Sequence, residues 1–163
     1  MPLSKLRTSE VVRAVVDHPR RLEELVGLLE DKDVAVRGRA ATTLVRLADS
    51  HPERLLRMAE RLKGGLADES AFVRWHLVYV LGRLGWNFPA RAASFLPQLA
   101  DCLDDGNGVV RSLAYGALAE LAQRRPDALE GVLSTKSGSV SPVLAQILKS
   151  AVPSPAARKR PRR

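Results

Sequence analysis

Apolar residues recur along this chain at helical spacing, in blocks that themselves repeat. One block carries Val36, Ala40, Leu44 and Leu47. The next, 37 residues on, carries Val73, Leu77, Leu81 and Leu84, and a third, another 37 on, carries Val110, Ala114, Leu118 and Leu121. Steps of four, four and three place each set on one face of an α-helix. An arginine follows each valine (Arg37, Arg74, Arg111), and a leucine and an aspartate precede it at constant offsets: Leu29 and Asp31, Leu66 and Asp68, Leu103 and Asp105. Three residues before each valine stands Asp33, Ser70 or Asn107. These side chains can accept a hydrogen bond from the free N–H groups of a helix start, so each predicts an N-cap.

A second apolar set follows each of Pro19, Pro52 and Pro89, with Pro126 as the last such marker; the spacings are 33, 37 and 37 residues. Its members are Leu22, Leu25, Val26 and Leu29, then Leu55, Met58, Ala59 and Leu62, then Ala92, Phe95, Leu96 and Leu99. Proline in a first helical turn sacrifices no intrahelical hydrogen bond and its fixed φ suits helix entry. Each period therefore predicts two antiparallel helices, A after the proline and B after the polar cap. Pro19 to Asp31 spans 12 residues where the two following units span 16, so the first A helix is about one turn short. The last unit has an equally short A helix, near residues 127–134. Its B helix is expected to start at Pro142 and to bury Val143, Ile147 and Ala151, with Leu144 where the arginine should be. A stub helix near residues 9–17 closes the opposite end with Val11, Val12 and Val15. Self-similarity at this period is the signature of stacked units that bury their apolar faces only against their neighbours.

The pattern Leu-x-Asp-x-x-x-x-Val-Arg ahead of an Ala/Leu-rich helix resembles the HEAT-repeat family, in particular its short HEAT-like variants, over roughly residues 20–151. The resemblance implies a right-handed α-solenoid of about four helix pairs with B helices lining an inner, concave surface. It also implies a structural ladder in which Asp31, Asp68 and Asp105 pair with Arg37, Arg74 and Arg111 from unit to unit. Members of the family are mainly binding scaffolds with unrelated partners, so the resemblance speaks to fold more than to function.

Composition adds bounds. The 163 residues are 45% apolar and 4% aromatic, enough for one domain with an Ala/Leu/Val core. No stretch approaches 18 uncharged apolar residues, which excludes a membrane-spanning helix. The start lacks an apolar signal region, so the expectation is a cytoplasmic protein, or a nuclear one in a nucleated cell. Cys102, the lone cysteine, reads as a small core residue. The net charge of +8 is concentrated at one end: Arg158, Lys159, Arg160, Arg162 and Arg163 leave 21 basic against 18 acidic residues, a net of +3, for residues 1–157. We expect a solenoid domain over 1–151, then a Pro/Ala linker and basic tail, disordered, over 152–163.

One column does not repeat. On the middle B helix Trp75, Tyr79, Arg83 and Trp86 fall at steps of four, four and three, where the flanking units carry Gly38, Thr42, Arg46 and Asp49 or Ser112, Gly116, Glu120 and Gln123. Large amphipathic aromatics between small neighbours suggest a binding ridge, because Trp and Tyr dominate interface hot spots. Filling space above Gly38 or Gly116 is the alternative role. Arg39, Arg46 and His76 add positive charge nearby. The leading expectation is a non-catalytic adaptor whose B-helix surface, centred on Trp75 and Tyr79, holds a protein partner. The alternative is a nucleic-acid binder in which Arg39, Arg46, Arg83 and the basic tail contact phosphates while aromatics stack.

Enzyme chemistry has little support. His18 and His51 sit before repeat prolines in turns, no Cys/His set has metal-ligand spacing, and Lys63-Gly64-Gly65 lacks the strand that a phosphate loop requires. HEAT-like DNA glycosylases place an acid one turn from their tryptophans; here that position is Tyr79. HEAT-like bilin lyases match only at the repeat level. Neither cofactor nor metal is expected.

Overall fold

The computed structural model describes residues 1–151; the basic tail, with Arg158, Lys159, Arg160, Arg162 and Arg163, lies outside the described residues. A short N-terminal turn (Leu3–Lys5) leads into α1 (Thr8–Asp17) and α2 (Arg21–Gly27), followed by α3 (Val34–Ser50), α4 (Pro52–Leu55), α5 (Ala59–Gly64) and α6 (Ala71–Asn87). Then come α7 (Leu96–Asp101), α8 (Gly108–Arg124), α9 (Pro126–Leu133) and α10 (Val140–Ala151). No β-strand occurs among the described residues. The chain is an all-α solenoid.

The three internal B helices, α3, α6 and α8, are each 17 residues long and start 37 residues apart. They pack side by side, with α1 against α3 and α10 against α8 closing the row. The repeated stripe is the core: Leu44, Leu47, Val73, Leu77, Leu81, Leu84, Val110, Ala114 and Leu118 are fully buried. Gly82 permits the close approach of α6 to α8, because a Cβ there would stand 2.8 Å from the Cβ of Ala117.

Helix entries follow from local chemistry. Asp33 accepts a hydrogen bond from the Ala35 amide, and Asn107 from those of Val109 and Val110. Ser70 occupies the same N-cap place without a side-chain cap bond, a departure from the expectation of three equivalent caps. Pro52 and Pro126 open α4 and α9, whereas Pro19 precedes the helical turns of α2.

The A segments are less regular than their apolar spacing suggests. Residues Pro89–Ser94 form a 3₁₀ helix, and Phe95 breaks it with φ −124° before α7 begins. Proline at 97 has no N–H and restricts the residue ahead of it, which favours a fresh helix start over continuation. Each internal A segment also tightens into a 3₁₀ turn just before its aspartate, at Leu28–Glu30, Gly65–Ala67 and Cys102–Asp104. That tightening satisfies carbonyls that would otherwise lack partners.

The last helix differs from expectation. It starts at Val140, two residues before Pro142, and buries Val140, Leu144, Ile147 and Leu148. Val143 and Ala151 are only half-buried. This helix packs against α8 and α9, and its Leu144 side faces them.

Candidate functional site

The backbone conformation of the three aspartates sets up the junctions between units. Asp31, Asp68 and Asp105 are all extended, with ψ of 143°, 142° and 142°. The Oδ1 of each accepts the amide two residues on, from Asp33, Ser70 and Asn107, at 2.8 Å in every case. The remaining oxygen of Asp68 and Asp105 faces back toward the preceding unit. There Arg37 Nε donates to Asp68 Oδ2 at 2.8 Å and Nη2 to Oδ1 at 3.3 Å, while Arg74 donates to Asp105 through Nε and Nη2, both at 2.8 Å. The third edge of each guanidinium is anchored on its own unit, Arg37 Nη1 on the Asp31 carbonyl and Arg74 Nη1 on the Asp68 carbonyl, each at 2.8 Å. Bidentate, charge-assisted bonds of this kind fix orientation as well as energy. The Arg74 guanidinium, together with the Asn107 amide, holds the Asp105 carboxyl below the usual carboxylate range against the opposing effect of burial. Hydrogen bonds to Asp68 and Glu69 raise Arg37.

Arg111 repeats the anchor but not the pair. Its Nη1 donates to the Asp105 carbonyl at 2.6 Å. The loop that follows α9 reads Ser134-Thr135-Lys136-Ser137-Gly138-Ser139 and holds no acid.

The singular column of α6 is tied into both neighbours. Tyr79 donates its hydroxyl to Asp49 Oδ1 at 2.8 Å, and Arg83 Nε stands 3.3 Å from the same oxygen, an ion pair too misaligned for a hydrogen bond. Burial, then the bond to Asp49, raises the Tyr79 phenol above its ordinary value. Trp86 faces the other neighbour: Arg124 lies over its ring at 3.5 Å from the centroid and donates to its carbonyl at 2.8 Å. Such stacking is worth about 0.5–1 kcal/mol at an exposed site. Trp75, Tyr79, Arg83 and Trp86 are all half-buried, so the column is a low ridge and not a row of free side chains.

His76 is a different case. It is only 5% exposed. Its Nδ1 donates to the Phe72 carbonyl at 2.6 Å and its Nε2 lies 3.2 Å from Thr42 Oγ1 on α3. Burial lowers its affinity for a proton, partly offset by the Phe72 carbonyl. It is therefore a support beneath the ridge and contributes no surface charge, contrary to the sequence expectation, because its polar edges are spent on α3 and on its own helix. Trp75 stacks on it at 3.6 Å between centroids. Arg39 reaches away to the Ser4 carbonyl at 2.7 Å and secures the N-terminal turn, whereas Arg46 is exposed.

Phe72 belongs to this group although the other units carry apolar residues at its position too. It meets Trp75 edge-on at 5.5 Å, leans on His76 at 4.2 Å, and remains 49% exposed. Its ring would be 3.3 Å from a Cβ placed on Gly38, so the glycine seats Phe72, and neither tryptophan. The clue in the sequence is its position three before Trp75 and four before His76, which is the spacing of side chains that touch on a helix. The column at 37-residue intervals is Ala35, Phe72 and Val109, and Val109 is 54% exposed. Apolar surface thus continues along the B-helix starts.

Cys102 is buried, which pushes its thiol up to about 11, and it donates to the Gln98 carbonyl. Among the described residues no group of three His, Cys, Asp or Glu could hold a metal ion, and no helix is long and apolar enough to cross a membrane.

These features define a HEAT-type repeat solenoid, a fold that serves as a scaffold for protein binding in general. Residues 50–148, more than half of the chain, match the family described as non-SMC mitotic condensation complex subunit 1, Cnd1, and the chain belongs to that family. No curated protein matches at a significant level. Among solved structures, a designed armadillo repeat protein in complex with the peptide (KR)4 superposes with a TM-score of 0.62 at 19% identity, over 92% of this chain and 71% of that one. An engineered protein from a structural genomics consortium gives 0.65 at 21% identity, over 91% of this chain and 41% of the other. At these identities the likeness concerns the fold.

Proposed function

We propose that this protein is a non-catalytic adaptor that holds a protein partner on the concave surface of its B helices, centred on Trp75 and Tyr79. The observation that carries the reading is the aromatic group Phe72–Trp75–His76 with Tyr79 beside it, present in one unit only and braced by Thr42 and Asp49 of the unit before. Rigid aromatics held by a second layer of contacts lose little entropy on binding, which is what an interface anchor needs. The family name describes a subunit of a larger complex, and membership of a multi-protein assembly fits this reading.

The test uses the full chain and a Trp75→Ala/Tyr79→Ala double variant as bait for proteins from the source cell. Loss of the co-purifying protein from a variant with native circular dichroism supports the ridge; equal recovery rejects it. The nucleic-acid alternative draws on the excess of basic residues and exposed Arg46. A mobility-shift titration of the full chain and of a version ending at Val152, on single- and double-stranded DNA, decides it. Binding by neither removes that alternative, and loss on truncation alone confines it to the tail.

A further inference from the structure

The two internal junctions define what a third guanidinium in the same frame is built to hold. Arg37, Arg74 and Arg111 occupy the same position of successive B helices, and each uses Nη1 to grip the carbonyl of its own unit's aspartate, at 2.8, 2.8 and 2.6 Å. In the first two the Nε/Nη2 edge is filled by the next unit's carboxylate. In the third, that edge has no hydrogen-bond partner among the described residues, and Arg111 is exposed where Arg37 is buried. The side chain is oriented in advance, so little rotamer freedom remains to be lost when an anion arrives.

Beside it lies an open cleft of about 330 Å³ between α8 and α10, lined by Leu103, Arg111, Ser112, Tyr115 and Val143. Tyr115 is 40% exposed there. One cation with a planar fork, next to leucine, valine and an exposed phenol, matches an acidic side chain carried next to an apolar one.

We propose that Arg111 and this cleft form a docking site for an aspartate- and leucine-bearing segment of a partner protein, which completes the junction from outside the chain. The site is separate from the Trp75 ridge, and the two stand or fall independently. Within the chain the complementary element already exists: residues 65–71, Gly-Leu-Ala-Asp-Glu-Ser-Ala, supply Asp68 and Glu69 to Arg37.

The test is a titration of the ¹⁵N-labelled full chain with a capped peptide of that heptad sequence, reading the arginine Nε–H resonances and assigning Arg111 by Arg111→Gln. The expected result is a saturable shift of the Arg111 signal. A peptide with Asn and Gln in place of the two acids should bind roughly tenfold more weakly or worse, and Arg111→Gln should abolish binding while the protein keeps its native circular dichroism. Three results overturn the proposal: no movement of Arg111 up to about 5 mM peptide, a weak-affinity limit; equal movement with the amide peptide; or inorganic phosphate reproducing the shift at the same concentration. The Trp75→Ala/Tyr79→Ala variant should retain the response, so failure here and failure of the ridge are read separately.

Discussion

Tyr79 and Asp49 are hydrogen-bonded at 2.8 Å across two successive B helices, and the same Asp49 oxygen faces Arg83 at 3.3 Å. One acid therefore positions two neighbouring ridge residues. Tyr79→Phe should lower stability by about 0.5–1 kcal/mol, the net worth of a partly exposed hydrogen bond, and Asp49→Ala should reduce partner affinity although Asp49 need not touch the partner. Urea denaturation and a binding titration of the two variants check both statements. An Asp49→Ala protein with full affinity would mean that the brace does not matter for binding.

The arginines should separate by their partners. Arg74→Gln strands Asp105 in a half-buried site, so the thermal midpoint should drop by roughly 5 °C or more, with Arg37→Gln in the same direction. Arg111→Gln, which loses only the bond to the Asp105 carbonyl, should lower it least. Calorimetry of the three variants gives the order directly, and equal losses would show that the guanidinium-to-carbonyl anchor matters more than the ion pair.

Acid should weaken the molecule in two steps. His76 has its proton affinity lowered by burial, so the unfolded chain binds the proton first; the associated stability is complete above the ordinary histidine value of about 6.5 and declines as pH falls below it. Asp105 is also held low, by Arg74, so its contribution is complete above about 3.9 and disappears as pH falls through its folded value. Unfolding free energy measured from pH 8 to pH 3 should show both declines. His76→Gln should remove the upper one and leave the lower.

Two glycines of α6 should respond oppositely to a methyl group. A Cβ on Gly82 meets the Ala117 Cβ at 2.8 Å, with no flexible side chain to yield, whereas a Cβ on Gly85 finds ordinary contacts at 3.7 and 3.8 Å. Gly82→Ala should therefore cost about 1–3 kcal/mol despite its gain in helix propensity. Gly85→Ala should stabilise by about 0.5–1 kcal/mol. Adding Ala117→Gly to Gly82→Ala should restore most of the loss, and its failure to do so would place the strain elsewhere.

Much of the solenoid is readable from spacing because the B helices are stabilised by one repeated stripe, and a stripe leaves a period in the sequence. The A segments are a harder case. Their apolar residues are buried as expected, yet the backbone alternates between α and 3₁₀, and both geometries can present the same side chains inward over so few residues. The last helix misleads for a different reason: Val143 falls at a plausible interval after Val110, but packing against α8 and α9 buries the adjacent Leu144. At the ridge, Trp75, Tyr79 and Trp86 are visible as departures from the repeat. Phe72 is not, since small or branched apolar residues fill its column elsewhere, and His76 reads as a surface cation until its two ring nitrogens are followed to Phe72 and Thr42.

The junction bonds also run in a single direction, each arginine reaching forward to an acid that comes later in the chain. Removing whole modules from the carboxyl side would uncover Arg74, and then Arg37, each still anchored through Nη1 on its own unit's carbonyl as Arg111 is. Each cut would also bare the apolar face of the B helix behind it, so shortening would cost core burial as well as an ion pair.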